Sequence, residues 1–305
     1  MPEAAVVRMR ILIVAVLSAI YATCYAAVKA GLPFAPPLWF GGLRALIAGL
    51  VLFVAMIILR QQLFPASREW PLLLILALTG TTLAFGAMFL SPGRTGVGIA
   101  SLLGNLQPLL VIGLAALFLG EPLTRDKVAA LALGLTGVTL IAVPALTGPN
   151  AFGISGAVLA LVASVSLAVG MVLVKRMGTP PNLLILTAWQ STLGSLPLLA
   201  VSALLEPESG VDWNAEFVGL LLYLALVGTA FPTVVWYWLL QRGDVGRLVL
   251  FLFFVPVFGL GVGTFLFGET LGLLSIIGVV LTVSGITFVA WPGKTSAQNQ
   301  RKLGE

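Results

Sequence analysis

The chain contains no histidine and a single cysteine, and few of its residues are charged. Asp, Glu, Lys and Arg make up 9% of 305 residues, whereas soluble domains carry about a quarter. Hydrophobic residues make up 59%. Cys24 lies in an apolar run, which excludes a disulfide framework and a thiolate metal site. This composition is typical of a protein built from membrane-spanning segments.

Long apolar runs divide the chain, and each helix that crosses the hydrocarbon core needs about 20 such residues. The sequence predicts ten spans, numbered here in chain order: 11–30, 38–59, 70–90, 95–119, 126–144, 153–177, 182–204, 217–240, 247–268 and 272–291. The first run is too long for a cleaved signal peptide and is followed by others, so it is predicted to be retained. The predicted fold class is an all-α polytopic membrane protein.

The two halves of the chain repeat each other. Arg94, Val97, Gly98, Pro108, Gly120, Glu121, Leu123, Gly137 and Thr139 recur 148 positions later as Arg242, Val245, Gly246, Pro256, Gly268, Glu269, Leu271, Gly285 and Thr287. Residues 76–81 likewise match residues 224–229. Predicted boundaries are a first five-helix repeat over 1–147, a second over 148–293, and a cytoplasmic tail over 294–305. Five spans is an odd number, so the second copy is predicted to cross the membrane in the opposite direction.

Lys and Arg in the short loops predict the orientation. If the N terminus is cytoplasmic, the inner segments hold thirteen of these residues and the outer segments hold only Lys29 and Arg94. The positive-inside rule therefore predicts that both termini are cytoplasmic, in a multi-pass protein of the inner (plasma) membrane. The net charge of +5 is explained by these loops and does not indicate nucleic-acid binding.

Absent residue types also limit the function. No Asp, Glu or His lies in the interior of a predicted span, since Asp126 is the first residue of span 5, whereas proton-driven pumps normally place a titratable group there. No His–acid pair, metal-ligand set or nucleophile with a nearby base indicates an enzyme. No phosphate-binding loop indicates ATP hydrolysis by this chain. No metal or cofactor is expected.

Two prolines occupy matching places near the middle of spans 4 and 9. Pro108 and Pro256 each remove a helix hydrogen bond and free a carbonyl group. Each proline could form a gating hinge or a passive kink. Their symmetric placement favours the hinge more than a single proline would. Asn105 and Gln107 precede Pro108, whereas the matching residues before Pro256 are apolar. This difference predicts a cavity with one polar and one apolar wall, although an interhelical hydrogen bond explains Asn105 and Gln107 equally well.

Arg44 is the one charge well inside a predicted span. It is a candidate for pairing with a substrate carboxylate, because an intramembrane arginine indicates function by default. The alternative, slightly favoured, is a structural arginine that snorkels or caps carbonyls of neighbouring helices. Further candidates for a substrate pocket are aromatic or polar residues of four spans: Tyr21, Tyr25, Phe85, Trp189, Gln190, Trp236 and Tyr237. Packing or interface positions are the commoner role of such aromatic residues.

Glu121 and Glu269 follow spans 4 and 9 directly. Their repetition predicts a structural role in both halves, in which the N-terminal dipole of the next helix stabilises each carboxylate. Neither lies deep enough to be a convincing proton carrier.

The ten spans, the inverted repeat and the Pro–x12–Glu pattern before a Gly-rich helix form a specific combination. Together with Arg44 in Leu43–Gly49, it resembles the EamA-type ten-helix exporters of the drug/metabolite transporter superfamily. The resemblance covers nearly the whole chain. It implies a basket in which spans 1–4 and 6–9 line a central cavity and spans 5 and 10 pack outside. It also implies export of small metabolites, including amino acids. The small four-helix exporters of that superfamily carry a glutamate in their first span, and span 1 has none.

The sequence therefore predicts an exporter of small metabolites, most plausibly amino acids, that works by alternating access without a visible proton relay. Its expected partners are a small-molecule substrate and the lipid bilayer, and the chain is a monomer or a homodimer. The alternatives are an efflux transporter for cationic drugs, which would need an anionic site, and a membrane-intrinsic enzyme or sensor.

Overall fold

The computed structural model describes residues 3–91, 94, 103–146, 154–178, 182–206, 210–267 and 272–290. Within these ranges the secondary structure is helical, with no strand. The long helices are Glu3–Gly31, Pro37–Ile58, Gln107–Leu119, Arg125–Leu146, Ile154–Arg176, Leu183–Leu205, Phe254–Phe267 and Leu273–Ala290. Span 3 consists of Trp70–Ala77 and Ala84–Leu90, and span 8 of Ala215–Ala225 and Phe231–Arg242. Span 9 begins with the short helix Val245–Leu250.

Eight helical segments of the described part are long and apolar enough to cross a membrane. They match predicted spans 1–3 and 5–9, so the span numbers are kept below for the helices. Spans 4 and 10 correspond to the shorter apolar helices Gln107–Leu119 and Leu273–Thr287. The first part of predicted span 4, residues 95–102, lies outside the described residues. Ten crossings and the orientation of the termini stay predictions.

Spans 3 and 8 are interrupted at the same place in the repeat. Each contains a π-helical turn, Leu78–Leu83 in span 3 and Leu226–Ala230 in span 8, and the two turns begin 148 residues apart. A π turn inserts an extra residue into the helix and disturbs its regular hydrogen bonds, and such turns are frequent at functional sites. The repeated sequence at residues 76–81 and 224–229 thus encodes a repeated break in the helix.

Spans 4 and 9 are also irregular at matching positions. A turn at Asn105 and Leu106 precedes the helix Gln107–Leu119. A 3₁₀ segment, Phe251–Phe253, precedes the helix Phe254–Phe267. Pro108 and Pro256 each follow within the first turn of the new helix, where a missing N–H costs no intrahelical bond.

The helices pair as an inverted repeat requires. Span 2 packs along span 7 and span 5 along span 10, so each of these spans meets its own counterpart. Span 1 packs on span 9 and span 6 on span 4, and span 3 meets span 6 as span 8 meets span 1. The contacts of spans 1 and 8 thus recur in spans 6 and 3 with the halves exchanged, whereas the 2–7 and 5–10 contacts map onto themselves. The two-repeat architecture is consistent with this pairing, and the central helices draw from both halves.

Close approach of spans 5 and 10 depends on Gly137. A Cβ atom at this position would overlap Thr282 and would lie 2.5 Å from the carbonyl oxygen of Gly278. Gly137→Ala is therefore expected to lower the free energy of unfolding by about 2 kcal/mol, because overpacking forces neighbours apart. Denaturant titration in mixed micelles measures this change.

Gly113→Ala is the matched control for Gly137→Ala. Gly113 lies within the helix Gln107–Leu119, and a Cβ atom there would meet nothing within 4 Å. The same substitution is therefore expected to stabilise this helix slightly, because alanine is the better helix former. Equal effects at Gly113 and Gly137 would contradict close packing of spans 5 and 10.

Candidate functional site

Arg44 crosses from span 2 to the π turn of span 8. Its Nε donates to Oγ1 of Thr229 at 2.7 Å, and its Nη2 donates to the carbonyl oxygen of Gly228 at 3.0 Å. The side chain is buried, and its guanidinium lies 5.1 Å from the centre of the Phe85 ring. The arginine thus joins span 2 of the first half to span 8 of the second, and it caps a carbonyl as the structural interpretation expects.

Gln190 makes the corresponding connection from span 7 to the π turn of span 3. Its Nε2 donates to Oγ1 of Thr81 at 3.3 Å. Its Oε1 accepts a hydrogen bond of 2.6 Å from the hydroxyl of Tyr237 in span 8. All three side chains are buried.

Thr81 and Thr229 are the same position of the two repeats, 148 residues apart. Each accepts a hydrogen bond from a long polar side chain of the opposite half, Gln190 in one case and Arg44 in the other. The five residues Arg44, Thr81, Gln190, Thr229 and Tyr237 are called the π-turn network below. The network places hydrogen-bonding groups in the interior of the bundle, where the two halves meet.

Tyr21 and Phe85 join this network. Tyr21, half-buried, lies within electrostatic range of Arg44 and Tyr237. Phe85 packs its ring on Arg44. The structure therefore gathers five of the predicted site residues, from spans 1, 2, 3, 7 and 8: Tyr21, Arg44, Phe85, Gln190 and Tyr237. The side chain of Tyr25 lies outside the described residues.

Serines of the facing spans cover the breaks in spans 4 and 9. Ser164 of span 6 donates to the carbonyl oxygens of Leu103 and Gly104 at 2.8 and 3.2 Å. Ser18 of span 1 donates to the carbonyl oxygen of Phe251, the repeat equivalent of Leu103, at 3.4 Å. Backbone groups freed at these breaks are thus satisfied from within the bundle, as hydrocarbon surroundings require.

The remaining candidates lie apart from the π-turn network. Gln107 donates to the sulfur of Met171 at 3.6 Å, and Asn105 lies in the turn that precedes it. Trp189 donates its indole N–H to the carbonyl oxygen of Leu63 at 2.7 Å. Its ring packs between Phe53, Phe64 and Trp70, so it anchors the loop between spans 2 and 3.

Trp236 is buried beside Tyr237 in span 8. Among the described residues, its indole N–H has no hydrogen-bond partner. A buried donor without a partner costs about 1–3 kcal/mol. This donor is available to a ligand that reaches it.

Glu121 caps a helix of the opposite half. Its two carboxylate oxygens accept from the backbone N–H groups of Val245 and Gly246 at 2.8 and 2.9 Å, at the start of span 9. Glu121 thus lies at the N terminus of a helix, as predicted. However, this helix belongs to the other half and is not the next helix in the chain. Glu269 lies outside the described residues.

Lys127 joins Glu121 to a second carboxylate. Its ammonium lies 3.4 Å from Glu121 and 2.8 Å from Asp244, and its own side chain is 3% exposed. Asp244 caps span 9 by accepting from the N–H of Arg247 at 2.7 Å. Burial opposes the ionisation of Asp244, but the hydrogen bond and the charge of Lys127, together with the backbone N–H of Arg247, outweigh burial, so the pKa of Asp244 lies below its ordinary value. Glu121, Lys127 and Asp244 are called the inner clasp below.

Sequence reasoning did not identify Thr81, Thr229, Lys127 or Asp244. The repeated Leu-Ala-Leu-x-Gly-Thr sequence contained the signal for the two threonines, because a repeated polar residue in an apolar span needs a partner. Lys127 entered the argument only as one of thirteen inner charges.

A family model described as the EamA-like transporter family matches residues 8–143 and again residues 154–291. The uncharacterized transporter YvbV of Bacillus subtilis is 31% identical over 276 residues, which cover 90% of this chain and 89% of YvbV. Protein PecM of Dickeya dadantii is 32% identical over 274 residues, with 88% of each chain covered. A probable amino-acid metabolite efflux pump of Salmonella typhimurium is 32% identical over 274 residues, covering 86% of this chain and 88% of its own.

The fold also matches a solved crystal structure. Its chain aligns with a TM-score of 0.78 and 22% sequence identity, and the alignment covers 92% of this chain and 97% of that chain. At this identity the likeness shows the fold alone.

Proposed function

The chain belongs to the EamA-like transporter family and is a multi-pass membrane transporter, and from this premise we propose that it exports small amphipathic metabolites, amino acids foremost. The substrate site lies between the two repeats, at the level of the π-turn network. Both halves contribute polar groups there, which is the arrangement that alternating access uses.

The observation that carries this proposal is the joining of Arg44 and Gln190 to π turns of the opposite half, with Tyr237 donating to Gln190 beside them. Each π turn breaks a helix where a polar side chain reaches it, so rocking of one half against the other would change these contacts. The indole N–H of Trp236, which has no partner in the part of the chain that the structure describes, adds a donor in the same span as Tyr237. Tyr21 and Phe85 supply aromatic surface beside these polar groups.

This mixture of groups favours a zwitterionic or amphipathic solute over a cationic drug. The side chains of the network carry the Arg44 charge and no carboxylate, and Glu216, in the first turn of span 8, is exposed. A cationic compound would find no counter-ion there. The Salmonella relative is named for amino-acid metabolites, which supports the same substrate class.

The remaining features of the proposal follow from the sequence. Thirteen inner Lys and Arg residues favour cytoplasmic termini in the plasma membrane. Asn105 and Gln107 supply the polar wall of the pathway, whereas Tyr25 and Trp189 are weaker candidates. The gradient of the solute drives export, since no Asp, Glu or His lies in the interior of a predicted span. The chain works as a monomer or a homodimer.

Solute flux into proteoliposomes that contain the pure protein tests this proposal. A panel of labelled amino acids is compared with a cationic dye, each with and without a pH gradient. Accelerated flux of an amino acid that is indifferent to the pH gradient supports the proposal. Dye movement driven by the pH gradient contradicts it and favours the drug-efflux alternative. Ligand binding with no flux of any solute favours a sensor.

Pro108 and Pro256 are proposed as hinges of spans 4 and 9. Replacing both with alanine supplies the missing N–H and removes the restriction that proline places on the preceding residue, so each helix can continue through its break. The double variant is therefore expected to transport about tenfold more slowly with unchanged substrate affinity, because only the conformational step is slowed. Initial rates of flux over a range of substrate concentrations separate the two parameters.

Pro197→Ala is the control for the two hinge prolines. Pro197 lies inside the continuous helix Leu183–Leu205 of span 7, and this span packs along span 2. Its replacement is expected to leave the transport rate near that of the wild type. An unchanged rate in the Pro108→Ala, Pro256→Ala double variant would contradict the hinge role.

A further inference from the structure

The start of span 9 is held by the opposite half of the molecule. Glu121 accepts from two backbone N–H groups of span 9, and Lys127 bridges Glu121 and Asp244. Lys127 also donates to the carbonyl oxygen of Pro122 at 3.1 Å. Among the described residues, the polar contacts that join the corner between spans 4 and 5 to the corner between spans 8 and 9 are those of the inner clasp.

The second half holds the same corner from its other side. Lys175 at the end of span 6 donates to the carbonyl oxygens of Gly243 and Gln241 at 2.7 and 3.4 Å. A cation at the C-terminal carbonyls of span 8 complements the helix dipole. The corner at 241–246 is therefore fixed to its own half through Lys175, and the contacts that cross between the halves are those of Glu121 and Lys127.

An apolar layer lies beneath the inner clasp. Ile112 of span 4 approaches Gly246, where an added Cβ would lie 3.4 Å from it. Ile112, Leu248 and Val249 are all buried. The inner clasp therefore forms a charged layer that covers an apolar layer. Water reaches the apolar layer only if the inner clasp separates.

We propose that the inner clasp is the cytoplasmic gate of the transport pathway, and that Glu121 and Lys127 must release span 9 before the substrate site opens to the cytoplasm. The proposal rests on the proposed transport function and orientation. Ion pairs suit this task, because water can replace their partners once the corner opens. Asp244, 34% exposed at its side chain, is the point where water enters.

Glu206 provides a matched control for Glu121. Its carboxylate oxygens accept from the backbone N–H groups of Leu38 and Trp39, at 3.2 and 3.3 Å, at the start of span 2. This cap also joins opposite halves, span 7 to span 2. However, spans 2 and 7 pack against each other along their length, so the loss of the cap leaves them in contact.

Labelling of a cysteine beneath the clasp tests the proposal without any substrate. Ile112→Cys is introduced with Cys24→Ser, so that one thiol reports on the buried layer. A membrane-impermeant maleimide is then applied to inside-out and right-side-out vesicles. Adding Glu121→Gln removes a charge and one of the two cap acceptors. Adding Asp244→Asn instead keeps the helix cap, because asparagine caps as well as aspartate, but removes the ion pair.

The proposed gate predicts a definite order of labelling rates in inside-out vesicles. Glu121→Gln is expected to accelerate labelling at least tenfold and Asp244→Asn about threefold, while Glu206→Gln labels at the rate of the parent. The Asp244→Asn result stands by itself if Glu121→Gln does not fold. Parent-like rates for both clasp variants would overturn the proposal, and so would equal acceleration by Glu206→Gln or acceleration only in right-side-out vesicles. A failed flux assay with this order intact would refute the substrate assignment and leave the gate standing.

Discussion

Replacing Lys127 with methionine is expected to lower the free energy of unfolding by about 3 kcal/mol at neutral pH. Methionine keeps the length of the side chain but removes the ammonium that lies 3.4 Å from Glu121 and 2.8 Å from Asp244. Two carboxylates then share a partly buried site without a cation, and breaking a buried pair in this way costs about 3–5 kcal/mol. The lower end applies because Asp244 is partly exposed. Denaturant titration in mixed micelles measures the loss.

The pH dependence of the Lys127→Met variant should be the reverse of that of the wild type. In the wild type the pKa of Asp244 lies below its ordinary value, so its ionised form stabilises the fold above about pH 4 and this stabilisation is lost as the pH falls through the lowered pKa. Without Lys127, Asp244 loses the cation that favours its ionised form while its burial remains, so the pKa of Asp244 rises above its ordinary value. Lowering the pH from 7 to about 5 should therefore stabilise the variant.

Lys175→Met is the control that separates this electrostatic effect from the general effect of removing a part-buried lysine. Lys175 donates to the carbonyl oxygens of Gln241 and Gly243, and carbonyl groups do not titrate. Its variant should lose stability equally at pH 7 and pH 5. A Lys127→Met variant whose loss is likewise constant with pH would contradict the bridging role of Lys127.

Arg44→Met is expected to lower the free energy of unfolding by about 2 kcal/mol. The arginine is 4% exposed and donates to Thr229 and to the carbonyl oxygen of Gly228. Without Arg44, the carbonyl oxygen of Gly228 loses this donor. The carbonyl lies in a π turn, where the regular helix hydrogen bonds are already disturbed. Hydrogen bonds from a charged donor contribute about 1.5–3 kcal/mol, although bonds between membrane helices are weaker on average. Denaturant titration in mixed micelles measures this loss.

Gln190→Met is the repeat-related control for Arg44→Met. Gln190 serves the equivalent π turn through Thr81, but it is neutral and its bond to Thr81 is longer, at 3.3 Å. Because Gln190 also accepts from the hydroxyl of Tyr237, its variant is compared with a Tyr237→Phe parent, so that the Thr81 bond alone is measured. Neutral hydrogen bonds are about half as strong as charge-assisted ones, so a loss of about 1 kcal/mol is expected. Equal losses for the two variants would contradict the view that the arginine charge secures the span 8 turn.

The repeat made much of the fold predictable from the sequence. The boundaries of spans 2, 6 and 7 follow from apolar length alone, and the structure places them within one residue of 38–59, 153–177 and 182–204. The breaks before Pro108 and Pro256 follow from the chemistry of proline. The family was also predicted, because its motifs recur at fixed spacing in both halves.

The contacts of the site were less predictable, because they depend on which spans become neighbours. Arg44 has no acidic partner in the sequence pattern, and only the fold brings the π turn of span 8 to it. Glu121 likewise caps a helix that begins 124 residues later in the chain. Trp189 was grouped with Gln190 by adjacency, yet adjacent residues on a helix face different neighbours, and Trp189 packs on Trp70 and Phe53.

Counterflow in proteoliposomes tests alternating access, the central claim, most directly. Vesicles are loaded with an unlabelled amino acid that the flux panel identifies, and the uptake of a trace of the labelled compound is followed. A carrier whose site faces one side at a time should accumulate label transiently above its equilibrium level, and the Pro108→Ala, Pro256→Ala variant should do so more slowly. Uptake that rises to equilibrium without an overshoot, and that ignores the internal solute, would contradict alternating access.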